Sequence, residues 1–373
     1  MTVYLDYNAA APLSSGAQAA MTAAMEHQAN PSSVHKYGRY AHQVIEDTRA
    51  SLANAVGARY EDITFTSSGT EACALILRLS NRRRLIVSAI EHSAVLENAP
   101  GASFIPVKNN GQIDCDSLKH LLGKDGSDAV VALMLANNET GVIQPVEEVA
   151  DIVHSAGGLL AVDCAQAFGK LEIDIGSLGA DAIALSASKI GGPLGVGAAV
   201  FRNGLSPKPI ILGGGQERGI RGGTENVLGI AGFNGALTEI STRLSSAEFV
   251  CNLRNRLEAG IRRIHPGCYI AGTEAPRLSN TSAISMTGTK AETQVIAFDL
   301  EGFAVSAGAA CSSGKVTSSH VLMAMGVSEE QANSTIRVSL GPETTQEEVD
   351  SFVRAWSNLY SKKARKDAMG LDQ

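Results

Sequence analysis

Three uninterrupted apolar runs constrain this chain more than anything else in it. Residues 129–135, 159–163 and 182–186 are built almost wholly from Ala, Val, Leu, Ile and Met, closed by Asp163 and Ser186 in the second and third. A strand without a polar face must be covered on both sides. In a chain that alternates such strands with helices, that means a mostly parallel sheet between two helical layers, an α/β fold. The pattern predicts further strands at 63–66, 85–88 and 196–202. It predicts helices at 16–27, 35–56, 71–79, 94–98 and 146–156, with Asn30-Pro31-Ser32-Ser33 breaking the chain before the second of them. After about residue 213 the texture changes. Two glycine-rich loops, 213–218 and 221–224, lead into a long predicted helix that runs to about residue 264. The remainder reads as a smaller α+β unit, with strands near 281–286 and 335–340 and helices at 291–299, 319–325 and 345–360. The expected division is a large domain over 15–255 and a small domain made of 1–14 and 256–373.

A length of 373 residues suits two domains, and 38 glycines suit many tight strand-to-helix turns. A net charge of −7 argues against a dedicated nucleic-acid binder. The basic clusters at 82–84 and 362–366 read as solvated surface. The chain opens on Tyr4-Leu5-Asp6-Tyr7, which reads as folded protein, and no apolar stretch approaches the roughly 20 residues of a membrane span. A cytoplasmic protein with no membrane partner is expected. Six cysteines form no CxxC pair, so neither structural zinc nor any other metal site is expected. Cys73 and Cys164, among apolar neighbours, read as inert core thiols.

The chemistry centres on Lys189, in Ser186-Ala187-Ser188-Lys189-Ile190-Gly191-Gly192-Pro193, downstream of the strand that ends at Asp163. A lysine amine that can form a Schiff base and a carboxylate that can pair with a pyridinium nitrogen are what pyridoxal phosphate needs. A cap or a salt bridge is the other reading of Asp163. Gln166 can hydrogen-bond the phenolic oxygen of the ring, and His92, opening a helix at a strand end, can stack on its face or simply cap that helix. Thr66-Ser67-Ser68-Gly69-Thr70-Glu71, between a strand and a helix, offers N–H groups and hydroxyls to a phosphate, though an ordinary N-cap looks the same. Ser186 and Ser188 can add hydroxyls to that phosphate. The polar tip Asn137-Asn138-Glu139-Thr140-Gly141 should face the same crevice. Arg337, inside a predicted strand, needs an anion, either a substrate carboxylate or a structural one. Cys311, flanked by Gly, Ala and Ser, is a close-packed small residue or a thiol on a pliable loop. A lysine-bound cofactor beside a mobile thiol points to sulfur removal from an amino acid.

Taken in order along nearly the whole chain, these segments resemble the pyridoxal-phosphate-dependent cysteine desulfurases of the class-V aminotransferase group. The match includes residues 4–10, 30–35, 66–71, Glu91-His92, 137–141, 162–166, 186–192, 213–226, 277–281, 308–314 and 334–341. The resemblance implies a fold-type-I transferase in which Lys189 is the Schiff-base lysine and Cys311 carries a persulfide. L-cysteine would be the substrate and alanine the product. It implies that Gly69, Thr70, His92, Asn138, Asp163, Gln166, Ser186 and Ser188 contact the cofactor, and that Asn8, Asn138 and Arg337 contact the substrate, with Lys189, Cys311 and His92 catalytic. Thr224 would reach the cofactor phosphate of a neighbouring subunit, which makes a homodimer. The Cys311 segment is similar to the group that hands sulfur to iron–sulfur scaffolds and tRNA-thiolating enzymes. Ser188 stands where that family usually has histidine, and Ala9-Ala10-Ala11 follows Asn8 where Ala-Thr-Thr is usual. A selenocysteine lyase or a small-amino-acid aminotransferase on the same scaffold is the alternative.

Overall fold

The computed structural model describes residues 2–27, 29–79, 82–308 and 318–368. The first two thirds run β1 (Val3–Tyr4), α1 (Ser15–Met25), α2 (Lys36–Ala55), β2 (Ile63–Thr66), α3 (Gly69–Ile76), β3 (Arg84–Ser88), α4 (Ser93–Leu96), β4 (Ser103–Ile105), α5 (Cys115–Leu122), β5 (Ala129–Met134), α6 (Val146–Ser155), β6 (Leu159–Asp163), β7 (Ala182–Ser186) and β8 (Gly197–Phe201). The rest runs α7 (Val227–Leu237), α8 (Ile240–Ser245), α9 (Ala247–Ile264), β9 (Thr281–Ser285), α10 (Ala291–Leu300), β10 (Phe303–Ala304), β11 (Ser306–Ala307), α11 (His320–Ala324), α12 (Glu329–Asn333), β12 (Thr335–Ser339) and α13 (Gln346–Ala368).

The central sheet has seven strands in the order β2-β8-β7-β6-β5-β3-β4. From β7 to β4 every pairing is parallel, while β8 is antiparallel to both of its neighbours. Side chains of a strand alternate between faces, and the apolar runs follow that rule. Ala129, Val131 and Leu133 of β5 join one core with Leu160, Val162, Ile183 and Leu185, whereas Val130 and Ala132 join another with Ala161, Ala182 and Ala184. Both faces are therefore buried, as the continuous runs demand.

Direction within the sheet sets the site. β7, β6, β5 and β3 end at one edge, at Ser186, Asp163, Met134 and Ser88. β2, reversed twice, ends there as well. Gly197 is the register partner of both Thr66 and Ser186, so the start of α3 and the end of β7 meet across one residue. A Cβ on Gly197 would stand 2.6 Å from the Ser68 carbonyl carbon, so this close approach needs glycine.

A separate core joins Leu5, four apolar residues of α9 (Val250, Leu253, Leu257, Ile261), Phe298, Phe303, Ile336, Val338, Phe352 and Trp356. It backs an antiparallel sheet ordered β11-β12-β9, and β1 pairs with β10 beside it. The long helix expected up to residue 264 is instead three helices, α7, α8 and α9. The hydroxyls of Thr238 and Ser246 donate to the carbonyls three residues back, at 2.7 Å each, and so compete with the helical ladder at both breaks.

Candidate active site

A cavity of about 560 Å³ opens at the carboxyl ends of the sheet strands, where ligands of open α/β sheets bind. Asn8, Gly69, Thr70, His92, Asn138, Asp163, Gln166, Ser186, Ser188, Lys189 and Arg337 all line it. Thr224 does not. It is exposed on the loop before α7. Cys311 lies outside the described residues.

Lys189 ends the 3-10 turn that follows β7. Its Nζ donates to the carbonyls of Ala9 at 2.6 Å and Asn8 at 2.9 Å. Asp163 closes β6, and its Oδ1 accepts the Ala165 N–H at 2.8 Å, which fixes the carboxylate over the strand end. Behind it lies Glu91, fully buried, with Oε1 accepting the Met134 N–H at 2.8 Å. Burial, and then the charge of Asp163, push the Glu91 carboxyl well above the usual carboxylate range. That favours the protonated, neutral form of Glu91.

His92 caps α4. Its Nδ1 accepts the Ala94 N–H at 3.1 Å, which leaves the ring proton on Nε2. Burial lowers its pKa, and Lys189, His320 and Arg337 add to the effect against the opposing charge of Asp163, so the imidazole is neutral at neutral pH. Gln166 donates from Nε2 to the Asn8 carbonyl at 2.8 Å and accepts from Lys170 Nζ at 2.8 Å. Burial, with Lys189, Arg337 and Arg243 nearby, drives the Lys170 pKa well below that of an ordinary lysine. The Ser186 and Ser188 hydroxyls lie 3.1 Å apart beside the start of α3.

Arg337 has both a cavity face and a structural partner. Its Nη2 donates to Asp6 Oδ1 at 2.8 Å and its Nη1 to the Asn138 carbonyl at 3.2 Å, while its buried Nε has no partner among the described residues. The structural carboxylate is thus present, and part of the five-donor fork stays unused. The Asn8 amide is fully engaged. Nδ2 donates to the Asn138 carbonyl and Thr281 Oγ1, and Oδ1 accepts from Asn280 and Lys170. Asn8 therefore ties the N-terminal segment to both halves of the site, and its amide has no spare group for a substrate. Asn138 reaches the others through its carbonyl.

Sequence reasoning gave no role to Asp6, Glu91 or Lys170, and named Glu139 only as part of the polar tip expected to face the crevice. Glu139 is buried, accepts the Ser319 hydroxyl at 2.6 Å, and would lie 2.8 Å from a Cβ on Gly308. Burial pushes its pKa up to about 7. It thus sits against both described ends of the segment that carries Cys311. Ser306, just before that segment, is the register partner of Arg337 and lines the cavity. Buried acids and lysines far apart in sequence carry no local signal; only the fold brings them together.

The residues fit pyridoxal phosphate. They supply an amine on Lys189, a carboxylate on Asp163, a neutral imidazole, and a helix start with hydroxyls and close-packed glycines. Among the described residues no group of His, Cys, Asp or Glu could hold a metal ion. Burial pushes the thiols of Cys73 and Cys164 well above their ordinary pKa. No described helix is long and apolar enough to cross a membrane.

Comparison with known proteins agrees with this geometry. The aminotransferase class-V family profile matches residues 3–352. Cysteine desulfurase IscS 1 of Archaeoglobus fulgidus is 37% identical over 366 residues, covering 94% of each chain. A cysteine desulfurase of Cereibacter sphaeroides is 39% identical, again over 94% of each. The solved structure of a NifS-like protein from Rickettsia africae superposes with a TM-score of 0.90 at 36% identity, covering 97% of this chain and all of that one.

Proposed function

The chain belongs to the aminotransferase class-V family and is a pyridoxal-phosphate-dependent cysteine desulfurase of fold type I; from that premise we propose which of its residues perform the reaction. The observation that carries the assignment is the convergence of Lys189, Asp163, His92 and Arg337 on one cavity. When bound, pyridoxal phosphate supplies an aldehyde for covalent attachment and a ring that withdraws electrons from the substrate Cα.

Lys189 would provide the attaching amine and, when free, would move the substrate Cα proton. Asp163, fixed over the strand end by the Ala165 N–H, would pair with the pyridinium nitrogen. Gln166, its carbonyl oxygen held by Lys170, would donate its remaining N–H to the phenolic oxygen. Ser68, Gly69, Thr70, Ser186 and Ser188 receive the phosphate. Arg337 offers the free part of its fork to the substrate carboxylate. His92, with its proton on Nε2, lies beside the substrate thiol. Cys311, as thiolate, attacks the substrate sulfur. The C–S bond breaks, an S–S bond forms on Cys311, the substrate carbon takes up a proton, and alanine leaves.

The family's wider biology extends this reading. Thr224, exposed and away from its own cavity, completes the phosphate site of a second copy in a cytoplasmic homodimer. The persulfide then passes to an acceptor protein of iron–sulfur assembly or tRNA thiolation. The test is Cys311→Ser. Alanine release from L-cysteine should fall to near background while the visible absorption of the lysine-bound cofactor persists. Retained turnover would remove Cys311 from the reaction.

A further inference from the structure

One ion pair next to the cavity has no part in the scheme above. Glu71 sits in the first turn of α3, the helix whose start faces the cavity through Ser68, Gly69 and Thr70. Its carboxylate accepts the Ser67 N–H at 2.7 Å and the Ser67 hydroxyl. The same carboxylate also receives Arg221 Nε at 2.9 Å and Nη2 at 3.4 Å, from a loop 150 residues further along the chain. The side chains are 19% (Arg221) and 11% (Glu71) exposed, so solvent screens the pair only partly. Burial alone would raise the Glu71 pKa. The hydrogen bonds from Arg221 and Ser67 outweigh that and hold it below the ordinary value.

An ionised carboxylate in the first turn suits a helix. It opposes a phosphate that arrives at the same turn. Arg221 cancels that opposition, and its loop is built to keep it in place. The Gly222 N–H donates to the Ile211 carbonyl at 2.8 Å. A Cβ on Gly222 would stand 2.5 Å from the Gly213 nitrogen, so the two arms of the loop touch. Between them Glu217 and Arg218 adopt φ of 45° and 55°, a strained region for residues with side chains. The surroundings hold that strain. Arg49 donates twice to Glu217 at 2.9 Å, the Phe65 N–H donates to it at 2.9 Å, and Arg218 donates to the Glu61 carbonyl at 2.6 Å. Phe65 belongs to β2, the strand that leads into α3. The loop is therefore fastened to the strand before the helix start and, through Arg221, to the first turn after it.

We infer that Arg221 is a positioning residue for the cofactor phosphate, acting through Glu71, whose charge it neutralises and whose hold on Ser67 it orients. This rests on the reading of residues 68–70 as the phosphate cradle. The test titrates apo-protein with pyridoxal phosphate and with pyridoxal, which lacks the phosphate, following the absorption of the bound aldehyde. Arg221→Gln should lower affinity for pyridoxal phosphate about tenfold relative to pyridoxal, the effect of one uncompensated charge near a partly buried dianion. Arg221→Lys should keep the ratio within about threefold of the starting protein, because it keeps the charge. The double variant Arg221→Gln/Glu71→Gln should regain most of the loss, since no carboxylate is left to neutralise.

Equal losses for both aldehydes, no loss, or a double variant no better than Arg221→Gln would each overturn the inference. If Arg221→Gln does not fold, the double variant decides the matter: a ratio near the original supports the inference and a tenfold loss contradicts it. Thr70→Val tests the cradle itself. If it lowers the ratio and Arg221→Gln does not, only the role of Arg221 fails. If Thr70→Val leaves the ratio unchanged, the cradle is elsewhere and the inference falls with it.

Discussion

Glu139 shows how single residues decide this site. Its pKa of about 7 in the folded protein lies above the unfolded carboxylate value, chiefly through burial. The folded state therefore binds more protons than the unfolded one across that interval, and stability falls as pH rises from about 4.5 through 7. Glu139→Gln keeps an acceptor for the Ser319 hydroxyl and removes the titration. Melting curves between pH 5 and 8 should show a flatter decline for the variant, by on the order of 1–3 kcal/mol over the range. Equal slopes would mean that Glu139 is not the titrating group. At this scale the sequence disclosed the groups that sit in short recognisable segments, namely Lys189, Asp163, His92, Gln166 and Ser186. It also raised a structural carboxylate as one of two alternative partners for Arg337, and Asp6 takes that part. What it could not disclose was the role of Glu91, Glu139 and Lys170. Their chemistry comes from burial, beside Asp163 for Glu91, Ser319 for Glu139 and Lys189 for Lys170, and burial is a property of the fold.

At the scale of elements, the apolar strands were readable because continuous hydrophobicity has one cheap solution, cover on both faces. Helix ends and edges were less readable. β4 and α5 went unforeseen, since Ser103 and Phe104 of the edge strand are exposed and α5 buries only Cys115, Leu118 and Leu122. The stretch from 227 to 264 reads as one helix by composition, and side-chain hydroxyls divide it. The contact between α1 and α7 depends on two glycines. A Cβ on Gly235 would stand 2.2 Å from the Gly16 carbonyl oxygen, with backbone rather than a flexible side chain in the way. Gly235→Ala should therefore destabilise by about 1–3 kcal/mol despite its better helix propensity, seen as a fall of several degrees in melting temperature. A melting temperature that holds or rises would show that the helices separate at little cost.

At the scale of the molecule, the central sheet and the β11-β12-β9 sheet both contribute residues to one cavity, and the N-terminal segment joins them through Asn8. The order of segments along the chain made the family legible before any geometry, because many separate matches in sequence have to agree. The proposed assembly rests on Thr224, which is exposed and does not line its own cavity. A homodimer in solution, shown by light scattering, should form apo as well as loaded, and a monomer that turns over cysteine would contradict the shared site. The account as a whole depends on one covalent attachment. Borohydride reduction of protein loaded with pyridoxal phosphate, followed by peptide mapping, should place the pyridoxyl group on Lys189. Finding it on Lys170, the other lysine beside Gln166, or on no lysine at all, would contradict the account.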